Sequence, residues 1–243
     1  MCATGQTVRF DEWSDTEEAL LQFRLLYSGY LLGASRSDTR ASLKHEIRKS
    51  LSPQLKRLWE SNFHLRKLSA ANASNWYRAR AVELNGVFVA DNRPSPKTEE
   101  EAAALNRALG LEYLARNYER AQQKFIPLVT EEMGLRCKLD ILFLRPEDSG
   151  TIYAGGDLDN RIKTLFDALR IAKDKQELGG AEPSSEPIYC LLEDDRLISE
   201  IRVNADQLLL LPKCESINPN DVFLVVEVSL QAPPGTNWSW FFG

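Results

Sequence analysis

Imidazoles and long apolar runs are scarce in this 243-residue chain. His45 and His64 are its two histidines, with no HExxH and no Cys/His cluster. A structural zinc site or a zinc hydrolase therefore lacks ligands. Ser-His-Asp chemistry has the residue types but no GxSxG to present a nucleophile. The four cysteines, Cys2, Cys137, Cys190 and Cys214, stand far apart without a CxxC pair. Cys137 and Cys190 fall in apolar, strand-like runs, and the cysteines read as reduced core thiols of a cytoplasmic protein, with a disulfide pair as the alternative. No apolar run approaches the roughly 20 residues a bilayer requires. The four leucines Leu208 to Leu211 stop at Pro212, so no membrane span is expected. The opening Met1 to Gly5 leads into Asp11, Glu12, Asp15, Glu17 and Glu18, a pattern unlike a secretory signal.

What is present is ordinary for a globular chain: 43% hydrophobic and 27% charged residues, enough for a packed core. The length suits one large domain or a core with an added lobe. Net charge is -5. It is unevenly placed, because Arg36 to Arg80 carries 11 Lys/Arg against 3 Asp/Glu, leaving 19 against 32 elsewhere. Such asymmetry points to a polyanion partner for the basic part.

Residues 1–20 read as a polar, acidic arm, and 21–243 as one domain. Gln22 to Leu32 is expected to be a strand. Arg40 to Trp59 has helical spacing, with a break or kink at Pro53. Arg40, Lys44 and Arg48 recur every fourth residue, giving either a solvated helix face or a phosphate-tracking surface. Tyr77 to Ala90 suggests a hairpin turning at Asn85-Gly86. Thr98 and Glu101 fit a capping box opening a helix that extends to about Gln123. Leu135 to Arg145 alternates as a strand. Asp157 to Ala172 is an amphipathic helix with Leu158, Ile162, Leu165, Phe166 and Leu169 on one stripe. Lys173 to Pro187 is a long loop, a kind that tends to be mobile or functional. Strand segments at Ile188 to Leu192 and Leu197 to Val203 flank Glu193-Asp194-Asp195, and Asp221 to Leu230 is the last strand. The aromatic tail Trp238 to Phe242 needs a docking place, on its own domain, a second copy or a partner protein.

Two carboxylate groups carry the chemical interest. Asp157 and Asp159 sit at a loop-to-helix junction, where one N-cap needs only one Asp. Lys163 and Asp167 follow Asp159 at one-turn intervals, either as a surface ion-pair ladder or as a lysine held among acids. Glu193-Asp194-Asp195 lies between strands, where Asp is a poor strand former although a turn tolerates it. Should Asp195 approach Asp157 and Asp159, the three carboxylates require a cation, and Mg²⁺ is the natural one. Phosphodiester hydrolysis is the chemistry such a centre supports.

The stretch Asp157-Leu158-Asp159-Asn160-Arg161-Ile162-Lys163, then Leu165-Phe166-Asp167-Ala168-Leu169, then Leu192-Glu193-Asp194-Asp195 before a strand, resembles the RusA-type Holliday junction resolvase family over about residues 136–230. The resemblance implies an α/β (α+β) fold, a RusA-like mixed sheet with flanking helices. Here it is enlarged by a basic helical and hairpin insertion over 36–130. It implies a Mg²⁺-dependent endonuclease, with Mn²⁺ able to substitute, acting as a homodimer on branched DNA. Carried over by position, Asp157, Asp159 and Asp195 are metal ligands, Asp194 is an adjacent candidate, and Lys163 is the catalytic lysine. Arg40, Lys44, Arg48, Lys49, Lys56, Arg57 and Arg161 are the expected DNA contacts. The chain departs from the family in its length, its overall acidity, its long loop and its opening strand, which reads Tyr27-Ser28-Gly29-Tyr30-Leu31-Leu32. The competing expectation is a non-catalytic RusA-like module that binds nucleic acid or protein.

Overall fold

The computed structural model describes residues 21–33, 38–62, 65, 98, 110–146, 157–209, 218 and 220–231. The fold is α+β. Strands β1 (Leu21–Tyr30), β4 (Arg136–Arg145), β6 (Ile198–Gln207) and β7 (Asp221–Gln231) form one sheet in the order β1-β7-β4-β6. Strands β2 (Glu119–Arg120), β3 (Gln123–Val129) and β5 (Ile188–Leu192) form a second, in the order β2-β3-β5. In the larger sheet β7 runs antiparallel to both β1 and β4, while β6 runs parallel to β4. In the smaller, β3 and β5 are parallel. Helices α1 (Asp38–Ser61) and α2 (Asp157–Leu169) complete the layers.

Alternation along the strands decides which face packs inward. Cys137, Leu139, Ile141 and Phe143 of β4 are buried beside Val222, Leu224, Val226, Val228 and Leu230 of β7. The other face carries charge instead. Arg24 pairs with Glu227 at 2.6 Å, and Asp140 with Arg202 at 3.4 Å. Leu43, Ile47, Leu51, Leu55 and Trp59 recur at helical spacing and bury the inner stripe of α1 in the same core. The described part of the basic insertion is thus built into the core rather than appended to it. No helix among the described residues is long and apolar enough to cross a membrane.

Three expectations are corrected. Pro53 neither breaks nor ends α1, which continues to Ser61. The lost backbone bond costs about 3 kcal/mol, which the buried Leu51, Leu55 and Trp59 on the core side offset. The helix expected to reach Gln123 stops earlier: residues 110–117 are helical, and Ala121 and Gln122 then turn with left-handed φ of 50° and 65°. Two such residues make the tight turn that joins β2 to β3. Lastly, the loop after α2 is pinned. Arg170 grips Glu177 through two bonds of 2.8 and 2.7 Å, and Gln123 holds Ser184 and Glu186. Gly179, at φ 63°, lies so close to α1 that a Cβ would stand 2.3 Å from the Ser42 backbone. The hairpin expected at Asn85-Gly86, the capping-box residue Glu101, His64, the arm over 1–20 and the tail from Trp238 lie outside the described residues.

Candidate functional site

Helix α2 places the first carboxylate group. Its apolar stripe, Ile162, Leu165, Ala168 and Leu169, is buried, with Leu158 and Phe166 packed partly against the same core. That leaves Asp159 and Lys163 facing outward, one turn apart. Their charged ends stand 3.8 Å from each other, and both side chains are more than 60% exposed. Asp157 is the first residue of α2, but its side chain lies outside the described residues.

Asp167 does not extend this ladder. It turns inward, where Lys44 meets it at 2.6 Å and Arg170 at 2.8 Å. Burial opposes its ionisation, but the hydrogen bond from Lys44 and the charge of Arg170 outweigh it and hold the carboxyl below its ordinary value. Glu177 is depressed in the same way by Arg170 and by the Lys173 amide. Arg48 is buried at 1% exposure and donates to the carbonyls of Arg170 and Asp167, each at 2.8 Å. The face formed by Arg40, Lys44 and Arg48 is therefore turned largely into the protein. Arg48 and Lys44 fasten α1 to α2, which corrects their assignment as phosphate contacts. Arg161, also proposed for DNA, is 3% exposed and reaches Asn220 at 3.5 Å. Lys49, Lys56 and Arg57 are exposed on α1 and are the part of the proposed DNA surface that faces solvent.

The second carboxylate group is built as a turn. The Glu193 side chain accepts from the Glu131 amide at 2.8 Å and from the Tyr118 hydroxyl at 3.4 Å. Asp194 caps the short 3-10 turn Asp195–Leu197 by accepting from the Arg196 amide at 3.1 Å, and Lys173 stands 3.6 Å away. Burial disfavours its charge, yet the Arg196 amide, Asp195 and Lys173 together outweigh it and hold its carboxyl below the ordinary value. Arg196 reaches across to Glu131. Asp195 is exposed.

Two independent connections place these groups at opposite ends of α2. The Leu192 carbonyl accepts from the Ile171 amide at 3.0 Å, so the acid triplet leaves the C-terminal end of the helix. About 16 Å of helix axis separates Arg170 from Asp159. The sheet agrees. Ile198, just after the turn, pairs with Cys137 at the start of β4, whereas Arg161 reaches Asn220, which precedes β7 beside the end of β4. Among the described residues no three His, Cys, Asp or Glu side chains are grouped to hold a metal ion. Asp159 and Asp195, the expected ligands whose side chains are described, thus stand at opposite ends of α2 within one chain, with Asp194 on the side of Asp195. The physical reason is that β6 runs parallel to β4 and so begins at the sheet end far from the head of α2.

Both described cysteines and His45 lie in the core. Burial pushes the Cys137 and Cys190 thiols up to about 12, and both are free, as expected of core thiols. His45 is buried, and its Nδ1 lies 3.4 Å from an Arg48 nitrogen, which can only donate. Sequence reasoning missed the network of Lys44, Asp167, Arg170 and Glu177. Its single legible signal was the spacing of Asp167 from Arg170, three residues apart on one helix face. No family model, no curated protein and no solved structure matches the chain.

Proposed function

We propose that the chain is a RusA-like, divalent-metal-dependent endonuclease acting on branched DNA, with Asp157, Asp159 and Lys163 at the head of α2 as its working groups. One observation carries the reading. Asp159 and Asp195 are the exposed aspartates described on α2 and in the acid triplet, and Asp159 is the one with a lysine one helical turn away. Mg²⁺ is commonly bound through one or two carboxylates together with water and substrate phosphate, which a pair at a helix head suits. Lys49, Lys56 and Arg57 support DNA contact from α1.

The test is cleavage of a four-way DNA junction with Mg²⁺ or Mn²⁺. Asp159→Asn is expected to lower cleavage at least about a hundredfold while the thermal midpoint stays within about 2 °C. Cleavage unchanged in that variant sinks the assignment. Binding to the junction should weaken as salt rises. Replacing Lys56 and Arg57 by glutamine is expected to lower the slope of log affinity against log salt by about 2.

A second reading, a non-catalytic RusA-like binding module, draws support from Glu193 and Asp194, both used as turn caps. Calorimetric titration separates the two. Mg²⁺ binding that Asp159→Asn abolishes favours the nuclease, and no binding favours the module.

A further inference from the structure

The outer face of the larger sheet is divided. Over one half its charges are matched on the sheet itself: Glu227 by Arg24, Asp140 by Arg202 and Glu200 by Lys138. The other half, toward the end where β1, β4 and β6 finish, is apolar. Leu26, Val225 and Leu142 lie side by side across β1, β7 and β4, and Phe223 and Leu144 stand in the next row. Leu26 and Leu142 are 48% and 38% exposed, and Tyr30 at the end of β1 is 39% exposed. Of the five large apolar side chains exposed among the described residues, these are three, and a fourth, Leu209, follows just past β6 at the same end. Exposure gathered in this way marks a contact surface.

Two carboxylates border the apolar half. Asp221 of β7 stands opposite Tyr30, and Asp206 of β6 opposite Leu144. Unlike the acids of the charged half, neither meets a cation among the described residues. Asp206 accepts from the Gln207 amide and Asp221 from that of Asn218. An apolar area rimmed by unmatched acid suits a partner that is both apolar and basic. It repels DNA, whose phosphates would meet the same carboxylates.

We propose that this half of the outer face docks an amphipathic helix of a protein partner, its apolar stripe flanked on one side by lysine or arginine. The dimensions select a helix. Four strands about 4.8 Å apart make a shelf roughly 14 Å wide, and the four-residue rise from Leu26 to Tyr30 is roughly 14 Å as well. One helix of about 10–12 Å diameter fills that area. On β1 an added strand finds its place taken, because Gln54 already bonds the amide and carbonyl of Leu26 at 3.0 and 2.7 Å. Laid across the strands, the helix covers Leu26, Val225, Leu142 and Phe223, and its basic flank meets Asp221 and Asp206. Other occupants match the rim less well. Trp238 to Phe242 contains no lysine or arginine, and a second copy brings the same two acids with it.

The probe is a fluorescently labelled helical peptide of about 18 residues, with leucine at heptad spacing and lysine along one flank. Titrated with the full chain and followed by anisotropy, it should saturate with a dissociation constant below about 100 μM. Leu142→Lys and Leu26→Lys should each weaken binding at least about tenfold, with thermal midpoints within about 3 °C of the parent. Glutamate in place of lysine on the peptide should weaken it by a similar factor. Asp206→Asn combined with Asp221→Asn should weaken it about threefold at low salt and flatten its salt dependence. No saturable binding, or binding that both leucine variants leave unchanged, overturns the surface. A tenfold gain in affinity on Trp238→Ser with Trp240→Ser gives the face to the chain's own tail. A parent dimer that Leu142→Lys dissociates gives it to a second copy, and either result overturns the proposal. The titration reads no DNA cleavage, so it decides the surface whatever becomes of the nuclease reading.

Discussion

The two ends of α2 put the same side-chain chemistry to different uses. At the C-terminal end Asp167, Glu177, Glu193 and Asp194 are each held by a cation or a backbone amide, and three of them are depressed in pKa. At the N-terminal end Asp159 has a lysine at 3.8 Å and otherwise faces water. A carboxylate enclosed by donors is committed to the fold. One left loosely paired costs little to keep there and stays open to a ligand. Acid clusters that look alike in the chain are thus separated by the donors that surround each.

Breaking the committed end should cost most. Arg170 is 4% exposed and binds two carboxylates. Arg170→Ala is expected to lower the unfolding free energy by about 2–3 kcal/mol, because half-buried Glu177 loses its cation and half-buried Asp167 keeps only Lys44. Urea denaturation measures it, and a loss below about 1 kcal/mol would contradict the comparison.

An acid titration separates the contributors next. His45 is held down to about 4 from 6.5 by burial and by the charges of Arg48 and Lys49. Between those values the unfolded chain takes a proton that the folded protein refuses. Stability is therefore complete above about pH 6.5 and falls toward pH 4, with about 2 kcal/mol gone between pH 7 and pH 5. Asp167 and Glu177, being depressed, contribute above their ordinary range and lose that contribution only below about pH 4. Urea midpoints between pH 7 and pH 5 should fall in the parent and hold nearly level in His45→Gln.

The smallest effect belongs to the open end. Lys163→Met should change stability by no more than about 0.5 kcal/mol, as exposed one-turn pairs do. A larger loss in the same urea series would make the Asp159–Lys163 pair a structural element after all.

Much of this was legible along the chain. Strands β4 and β7 and helix α2 announce themselves by period, since each packs one face on the core. Strand β3 does not. Its Phe125, Ile126, Leu128 and Val129 follow a stretch of helix formers. The turn before it uses Ala121 and Gln122 where Asn-Gly would have signalled a hairpin. Pro127 argues against a strand unless one side of it lacks a neighbour. The inward turn of Arg48 was hidden for another reason, since its acceptor carbonyls come from residues 119 and 122 positions away. The Asp159–Lys163 pair follows from helical spacing alone. The distance of Asp195 from it does not, because it depends on which end of the sheet receives the turn after β5, and only the parallel pairing of β6 with β4 decides that.

The first and last strands of the larger sheet are each other's neighbours, with Gln22 bonded to Glu227 across 205 positions. During synthesis at 5–20 residues per second, β1 must therefore wait roughly 10–40 s for its partner to be made. The edge of β1 that pairs with β7 stays unpaired on the ribosome for that interval, while α1, made soon after it, can already pack against the strand.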